Sequence, residues 1–276
     1  MSMKKIVVAP DSFKGSLTSA EVADAVERGI KDVFPQCNVV KAGVADGGEG
    51  TVEAIVKAVG GDMYAASVTD PLGRPVKAAY GIVRSGGVKT AVMEMSAASG
   101  LPLLLPDELN PWITSTYGTG EMISDALNRG CRKFLVGIGG SATNDAGTGM
   151  LSALGVRFLD SRGQRLKGCG RDLESIVRID MSSLMPAARE SEFIVACDVN
   201  TPFCGPDGAA RVFAPQKGAD ANMVKELDVA MQHLSDVIFR TTGKDVSLHP
   251  GAGAAGGTGG GLHAFQDATY KPGNTH

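Results

Sequence analysis

Thirteen residues, Gly137-Ile138-Gly139-Gly140-Ser141-Ala142-Thr143-Asn144-Asp145-Ala146-Gly147-Thr148-Gly149, constrain this chain more than any other stretch. They follow the apolar run Phe134-Leu135-Val136 and precede the helix-like Met150-Leu151-Ser152-Ala153-Leu154. A strand that hands glycines and hydroxyls to a helix N-terminus suits an anion, because bare backbone N–H groups can converge and the helix dipole favours negative charge. The same pattern suits a close helix–strand crossing that tolerates only small side chains, and spacing alone leaves both open. The chain has 37 glycines in 276 residues, nearly twice the usual share of roughly 7 %. They gather after apolar runs, where loops approach a ligand closely.

The first sixty residues predict strand–loop–helix twice over. Ile6 to Ala9 is a continuous apolar strand, and Pro10 to Ser16 its loop. Thr18 and Glu21 form a capping pair, and Ala23, Val26, Ile30 and Val33 recur at helical spacing. Val39 to Ala45 starts the second unit, Asp46 to Thr51 is its loop, and Val52 to Val59 its helix. Continuous apolar strands predict a parallel sheet covered on both faces, with ligands at the strands' carboxyl ends. After Gly60-Gly61 the runs Met63–Val68, Val76–Val83 and Val88–Met95 are separated by the turn signals Asp70-Pro71-Leu72-Gly73 and Ser85-Gly86-Gly87, which predicts a mixed or antiparallel sheet. A domain boundary is therefore placed near residue 62. Beyond it come a helix over about Tyr117–Arg129, a strand over Lys133–Ile138, a helix from Asp145, a strand over Phe193–Cys197 and a helix over about Asn222–Thr241.

Charge is nearly balanced, with 27 basic and 30 acidic side chains and no basic stripe, which argues against nucleic acid as a partner. The five cysteines are widely spaced, without a CxxC or a histidine at ligand distance, so a reducing compartment fits better than disulfides or zinc. The N-terminal apolar stretch is too short for a signal peptide, and no run approaches the ~20 residues that span a bilayer. The expectation is a soluble, cytoplasmic protein that acts on small molecules, with no membrane partner and with room for self-association.

Three further segments carry chemistry. Asp46-Gly47-Gly48-Glu49-Gly50 sets two carboxylates among glycines, suited to Mg²⁺ or a polyhydroxy substrate, or to a tight turn with an acidic helix start. Asp11-Ser12-Phe13-Lys14-Gly15-Ser16 offers a carboxylate, hydroxyls and a lysine that neutralises a phosphate or carboxylate, or is simply solvated. Asp198 follows a strand and is placed either to accept a hydroxyl proton or to cap the next turn. Gly251-Ala252-Gly253-Ala254-Ala255-Gly256 matches GxGxxG, but Leu248-His249-Pro250 precedes it instead of a clear strand, and no acidic residue follows at the distance a dinucleotide needs. No GxxxxGK[ST] occurs, which excludes a P-loop kinase. The four histidines are isolated.

The blocks Ala9-Pro10-Asp11-Ser12-Phe13-Lys14-Gly15-Ser16-Leu17, Ala45-Asp46-Gly47-Gly48-Glu49-Gly50-Thr51 and Gly137 to Asp145 occur in that order. They are joined by Tyr117-Gly118-Thr119-Gly120-Glu121, Cys197-Asp198-Val199-Asn200 and Pro215-Gln216-Lys217-Gly218. Together they closely resemble the type 1 glycerate kinases over essentially the whole chain. The resemblance implies an α/β fold, a Rossmann-like parallel-sheet domain interrupted by a second α/β domain with a mixed sheet, and an active site between them. It implies ATP-dependent, Mg²⁺-assisted phosphorylation of D-glycerate, with 2-phosphoglycerate the favoured product. Family members are longer, so residues 1–62 are expected to be the N-terminal part of the Rossmann-like domain without its completion, and 63–276 the inserted domain with its glycine-rich loops. A truncated form that binds glycerate or nucleotide without catalysis is the alternative. Ala146 stands where the family often has another glycine.

On this reading Gly139, Gly140, Ser141, Thr143, Asn144 and Gly147 cradle ATP, and Asp11, Ser12, Lys14, Gly47 and Gly48 hold the substrate. Asp46 and Glu49 hold Mg²⁺, while Asp198, Lys14 and Asp46 form the catalytic set.

Overall fold

The computed structural model describes residues 5–10, 16–17, 19–41 and 50–271. The chain opens with strand β1 (Lys5–Val8), helix α1 (Ser19–Val33), strand β2 (Asn38–Lys41) and helix α2 (Thr51–Val59). β1 and β2 pair in parallel, Lys5 opposite Asn38 and Val8 opposite Lys41. α1 turns Val22 and Ala23 inward, as its apolar spacing predicts. Coverage of both sheet faces is not seen among the described residues: Val7 remains 59 % exposed and Val40 36 %. The physical reason is layer count, since two strands with one packed helix bury a single face.

The larger sheet has the order β10-β9-β6-β5-β4-β3. Its first three strands, β3 (Gly61–Thr69), β4 (Pro75–Ser85) and β5 (Val88–Glu94), form an antiparallel meander. The turns fall on the predicted signals. Asp70 Oδ1 accepts from the N–H groups of Leu72 (2.9 Å) and Arg74 (2.8 Å), and Gly86 and Gly87 take φ of 57° and 84°. β5 then pairs in parallel with β6 (Lys133–Gly137), β6 with β9 (Glu192–Ala196), and β9 with β10 (Thr269–Lys271).

Side chains on the parallel strands alternate between two cores. Ala91, Met93, Phe134, Val136, Phe193 and Val195 enter the main core. Val92, Leu135 and Ala196 face the other way and meet Val52 and Val56 of α2. So α2, which the sequence groups with the first strands, covers one face of the large sheet. The other face is covered through the main core by α4 (Tyr117–Asn128), which follows the short α3 (Ser96–Ser99). Next come α5 (Thr148–Ala153), the antiparallel pair β7 (Arg157–Leu159) and β8 (Arg178–Asp180), α6 (Pro186–Arg189), α7 (Ala209–Phe213), α8 (Ala221–Thr242) and α9 (Thr258–Gln266). Asp220 caps α8 by accepting from the N–H groups of Asn222 and Met223. No described helix is long and apolar enough to cross a membrane.

Candidate active site

Three neighbouring parallel strands end on one edge. Register pairs Glu94 with Gly137 and Gly137 with Ala196, so β5, β6 and β9 release their chains side by side, neighbours lying about 4.8 Å apart. From this edge emerge Gly139 and Gly140, both exposed, and Asp198, also exposed. The edge also holds the start of α2: Val52 N–H donates to Glu94 Oε1 at 3.0 Å. Glu94 is 9 % exposed, a buried carboxylate that the sequence does not single out. The segment 42–49, with Asp46, Gly47, Gly48 and Glu49, lies outside the described residues, as do Asp11, Ser12 and Lys14.

Beyond the exposed Gly139 and Gly140, the rest of the glycine loop is buried. Thr143 and Asn144 have no exposed surface, Ser141 is 5 % exposed, and Gly147 is buried. Its converging N–H groups do hold an anion, but that anion is the chain's own Asp145 carboxylate. Asp145 Oδ2 accepts from Thr116 N–H (2.8 Å), Thr116 Oγ1 (2.8 Å) and Gly149 N–H (3.3 Å), and Oδ1 accepts from Gly147 N–H (3.2 Å). Burial pushes the Asp145 carboxyl up from its ordinary value, and these donors pull it back. The backbone at Ala146 has φ 54°, a left-handed conformation. A glycine would adopt it freely, whereas alanine carries a cost of about 1 kcal/mol there. Gly147 beside it has φ 74°.

Ser141 also turns inward. Its Oγ accepts from Lys217 Nζ at 2.8 Å, and the same ammonium donates to Thr143 O at 2.6 Å. Lys217 is 1 % exposed. Desolvation pushes its amine down to about 7, with the Asp145 charge opposing the shift. The unfolded chain keeps that proton to about 10.5 and the folded chain sheds it near about 7. In that window the unfolded state binds more protons, so this residue makes stability rise with pH. Wild type should therefore gain on Lys217→Met by about 1 kcal/mol per pH unit between pH 7 and 9. Urea midpoints at several pH values check this, and a constant difference would refute it.

The Gly251–Gly256 motif is a buttress. Gly256 O accepts from Ala146 N–H at 3.0 Å. A side chain at Gly256 would stand 2.1 Å from Thr143 O, and one at Gly253 2.0 Å from Pro202 O. These glycines face protein, which accounts for a GxGxxG run without a dinucleotide.

A mixed sheet covered on both faces, with Gly139, Gly140 and Asp198 exposed beyond adjacent parallel strands, defines an α/β protein of the kind whose ligand sites form at such strand ends. Its family follows from relatedness: the chain belongs to the glycerate kinase family, whose model matches residues 6–276. These enzymes are phosphotransferases. The chain is 51 % identical to a glycerate kinase from Haemophilus influenzae, the match covering 98 % of this chain and 71 % of that protein. It is 48 % identical to a glycerate 2-kinase from Escherichia coli, over 98 % of this chain and 70 % of the relative. Among solved structures it is similar to glycerate kinase 2 from Salmonella typhimurium LT2, with TM-score 0.85, 45 % identity and coverage of 98 % of this chain and 72 % of the other.

Proposed function

We propose that this chain phosphorylates D-glycerate from ATP, giving 2-phosphoglycerate, in the reducing cytoplasm that its unpaired cysteines favour. What carries the reading is similarity to enzymes of that name across 98 % of the chain. That coverage favours the kinase over the binding-only alternative. The edge chemistry is compatible. Asp198, exposed beyond β9, accepts the proton of the substrate hydroxyl, whose oxygen bonds the terminal phosphorus as the bond to ADP breaks. Gly139 and Gly140, exposed beyond β6, offer backbone to the phosphates, and Lys14 offsets charge on glycerate or the moving phosphoryl group.

Asp46 and Glu49 are hard oxygen donors of the type Mg²⁺ takes, and bound metal there would neutralise phosphate charge. Ser141, Thr143, Asn144 and Gly147 support the loop from within. The test is ATP turnover with D-glycerate, the product resolved by ³¹P NMR. A signal at the 2-position is expected. Calorimetric binding of glycerate without turnover would favour the binding-only form, and a 3-phosphate product would refute the regiochemistry.

A further inference from the structure

A pocket of about 280 Å³ sits at the far end of the large sheet from the strand-end edge. β5 carries both ends: Glu94 reaches the strand-end edge, and Lys89, near the strand's start, lines the pocket. Roughly 16 Å of strand separates the two residues. Arg84 of β4 and Arg129, which closes α4, line the same pocket. Its volume lies just below the ~300–1,000 Å³ of drug-sized ligand sites, which leaves room for a smaller molecule.

Register makes these cations costly. Arg84 stands directly opposite Lys89 on antiparallel strands. Side chains so placed share a face with Cβ atoms about 5 Å apart, and like charges there destabilise a sheet. An acidic neighbour would offset the repulsion, and none is close. Asp62 of β3 lines the pocket but pairs with Ile82 in register, so it lies diagonally from Arg84, about 7–8 Å away. Among the described residues, none of Asp62, Arg84 and Lys89 is in an ion pair.

Two of the three cations are nonetheless held in place. Lys89 Nζ donates to Arg129 O at 2.7 Å, and Arg129 Nε donates to Asp125 Oδ2 at 2.8 Å. The Arg129 guanidinium also lies over the Tyr64 ring, 4.7 Å from its centroid. Cations fixed before a ligand arrives lower the ordering cost of binding. Tyr64 and the buried Ile82 supply the apolar part of the lining.

Asp125 offsets Arg129, which leaves Arg84 and Lys89 as two adjacent uncompensated charges. A monocarboxylate would neutralise one of them. A phosphate monoester carries close to two negative charges at neutral pH and several acceptor oxygens, enough for both. We infer that this pocket binds a small phosphate monoester at a second site, separate from the strand-end edge. Its phosphate bridges Arg84 and Lys89, and its carbon skeleton rests on Tyr64 and Ile82.

Titration calorimetry of glycerol 3-phosphate into the whole chain tests this, comparing wild type with R84A/K89A. Loss of both cations should weaken the ester at least ~10-fold. Inorganic phosphate should bind wild type ~5-fold more weakly than the ester, because it leaves Tyr64 and Ile82 uncovered. Acetate, with one charge, should bind more weakly still. An ester that binds the double variant as it binds wild type sits elsewhere and overturns the site, as does a wild type that binds no ester. Inorganic phosphate as tight as the ester would overturn the ester half. Should the double variant lose its fold, Arg84→Glu decides. Opposite charges across the strands remove the repulsion, so melting without ligand should rise by ~1–2 °C while ester binding is lost. Ester binding retained in that variant would refute the site.

Discussion

Asp145→Ala should lower stability by on the order of 4 kcal/mol, a fall of about 10 °C in melting temperature for a chain of this size. The carboxylate is fully buried and satisfies four donors: the N–H groups of Thr116, Gly147 and Gly149, and the Thr116 hydroxyl. Alanine leaves them facing a cavity, and each buried orphan costs about 1–3 kcal/mol less whatever relaxation recovers. It also removes the negative charge that opposes the downward shift of Lys217.

Asp145→Asn separates these causes. Its amide oxygen can replace Oδ2, which takes three of the donors, while its NH₂ faces the Gly147 N–H. Roughly half the loss is expected. Calorimetric melting of the three proteins checks the order. An Asp145→Ala variant melting within about 2 °C of wild type would show that the loop does not depend on this carboxylate.

Asp145 also shows where the sequence stops being legible. Its position after a strand and before an apolar run predicts a helix start, and α5 does begin three residues later, at Thr148. Asp145 O accepts from both the N–H and the hydroxyl of Thr148 at that start. The side chain, however, belongs to Thr116, 29 positions away, and no local period encodes such a contact. Lys217 is the same case. It lies 76 positions from Ser141, and only its motif of Pro215-Gln216-Lys217-Gly218 marked it, without a role. Hydroxyls in a glycine loop say that small polar groups are needed but not which way they point. Here Ser141 and Thr143 point inward.

Where packing follows period, the reading succeeds. The runs that predict β3 to β6 and β9, and the spacing that predicts α4 and α8, fall within a few residues of the elements observed. α9 escapes it, because Thr258-Gly259-Gly260-Gly261 has poor helix propensity. Tertiary contact decides there: a Cβ at Gly260 would lie 2.6 Å from the Phe203 ring, and one at Gly261 2.5 Å from Ala146 O. The assignment of α2 to the first unit missed for a related reason. An amphipathic helix declares an apolar face, but Val52 and Val56 do not say which sheet they meet.

Asp198→Asn should lower kcat ~10²–10⁴-fold, the range for loss of a positioned general base. The Michaelis constant for D-glycerate should stay within about threefold of wild type, because the isosteric amide still accepts a hydrogen bond in the ground state but cannot take the proton. Asp198 is exposed beyond β9, so melting should move by less than about 2 °C. A capping or turn-forming role predicts the reverse pattern, lower melting with kcat nearly intact. Lys14→Ala should also cost orders of magnitude in kcat, since phosphoryl transfer depends on neutralising charge that develops on the moving group. Here the loss should be partly restored by Lys14→Arg, which keeps the charge, and not by Lys14→Met, which keeps the length. Steady-state kinetics with ATP and D-glycerate decide both, and near-normal turnover in Asp198→Asn and Lys14→Ala would remove these residues from the chemistry.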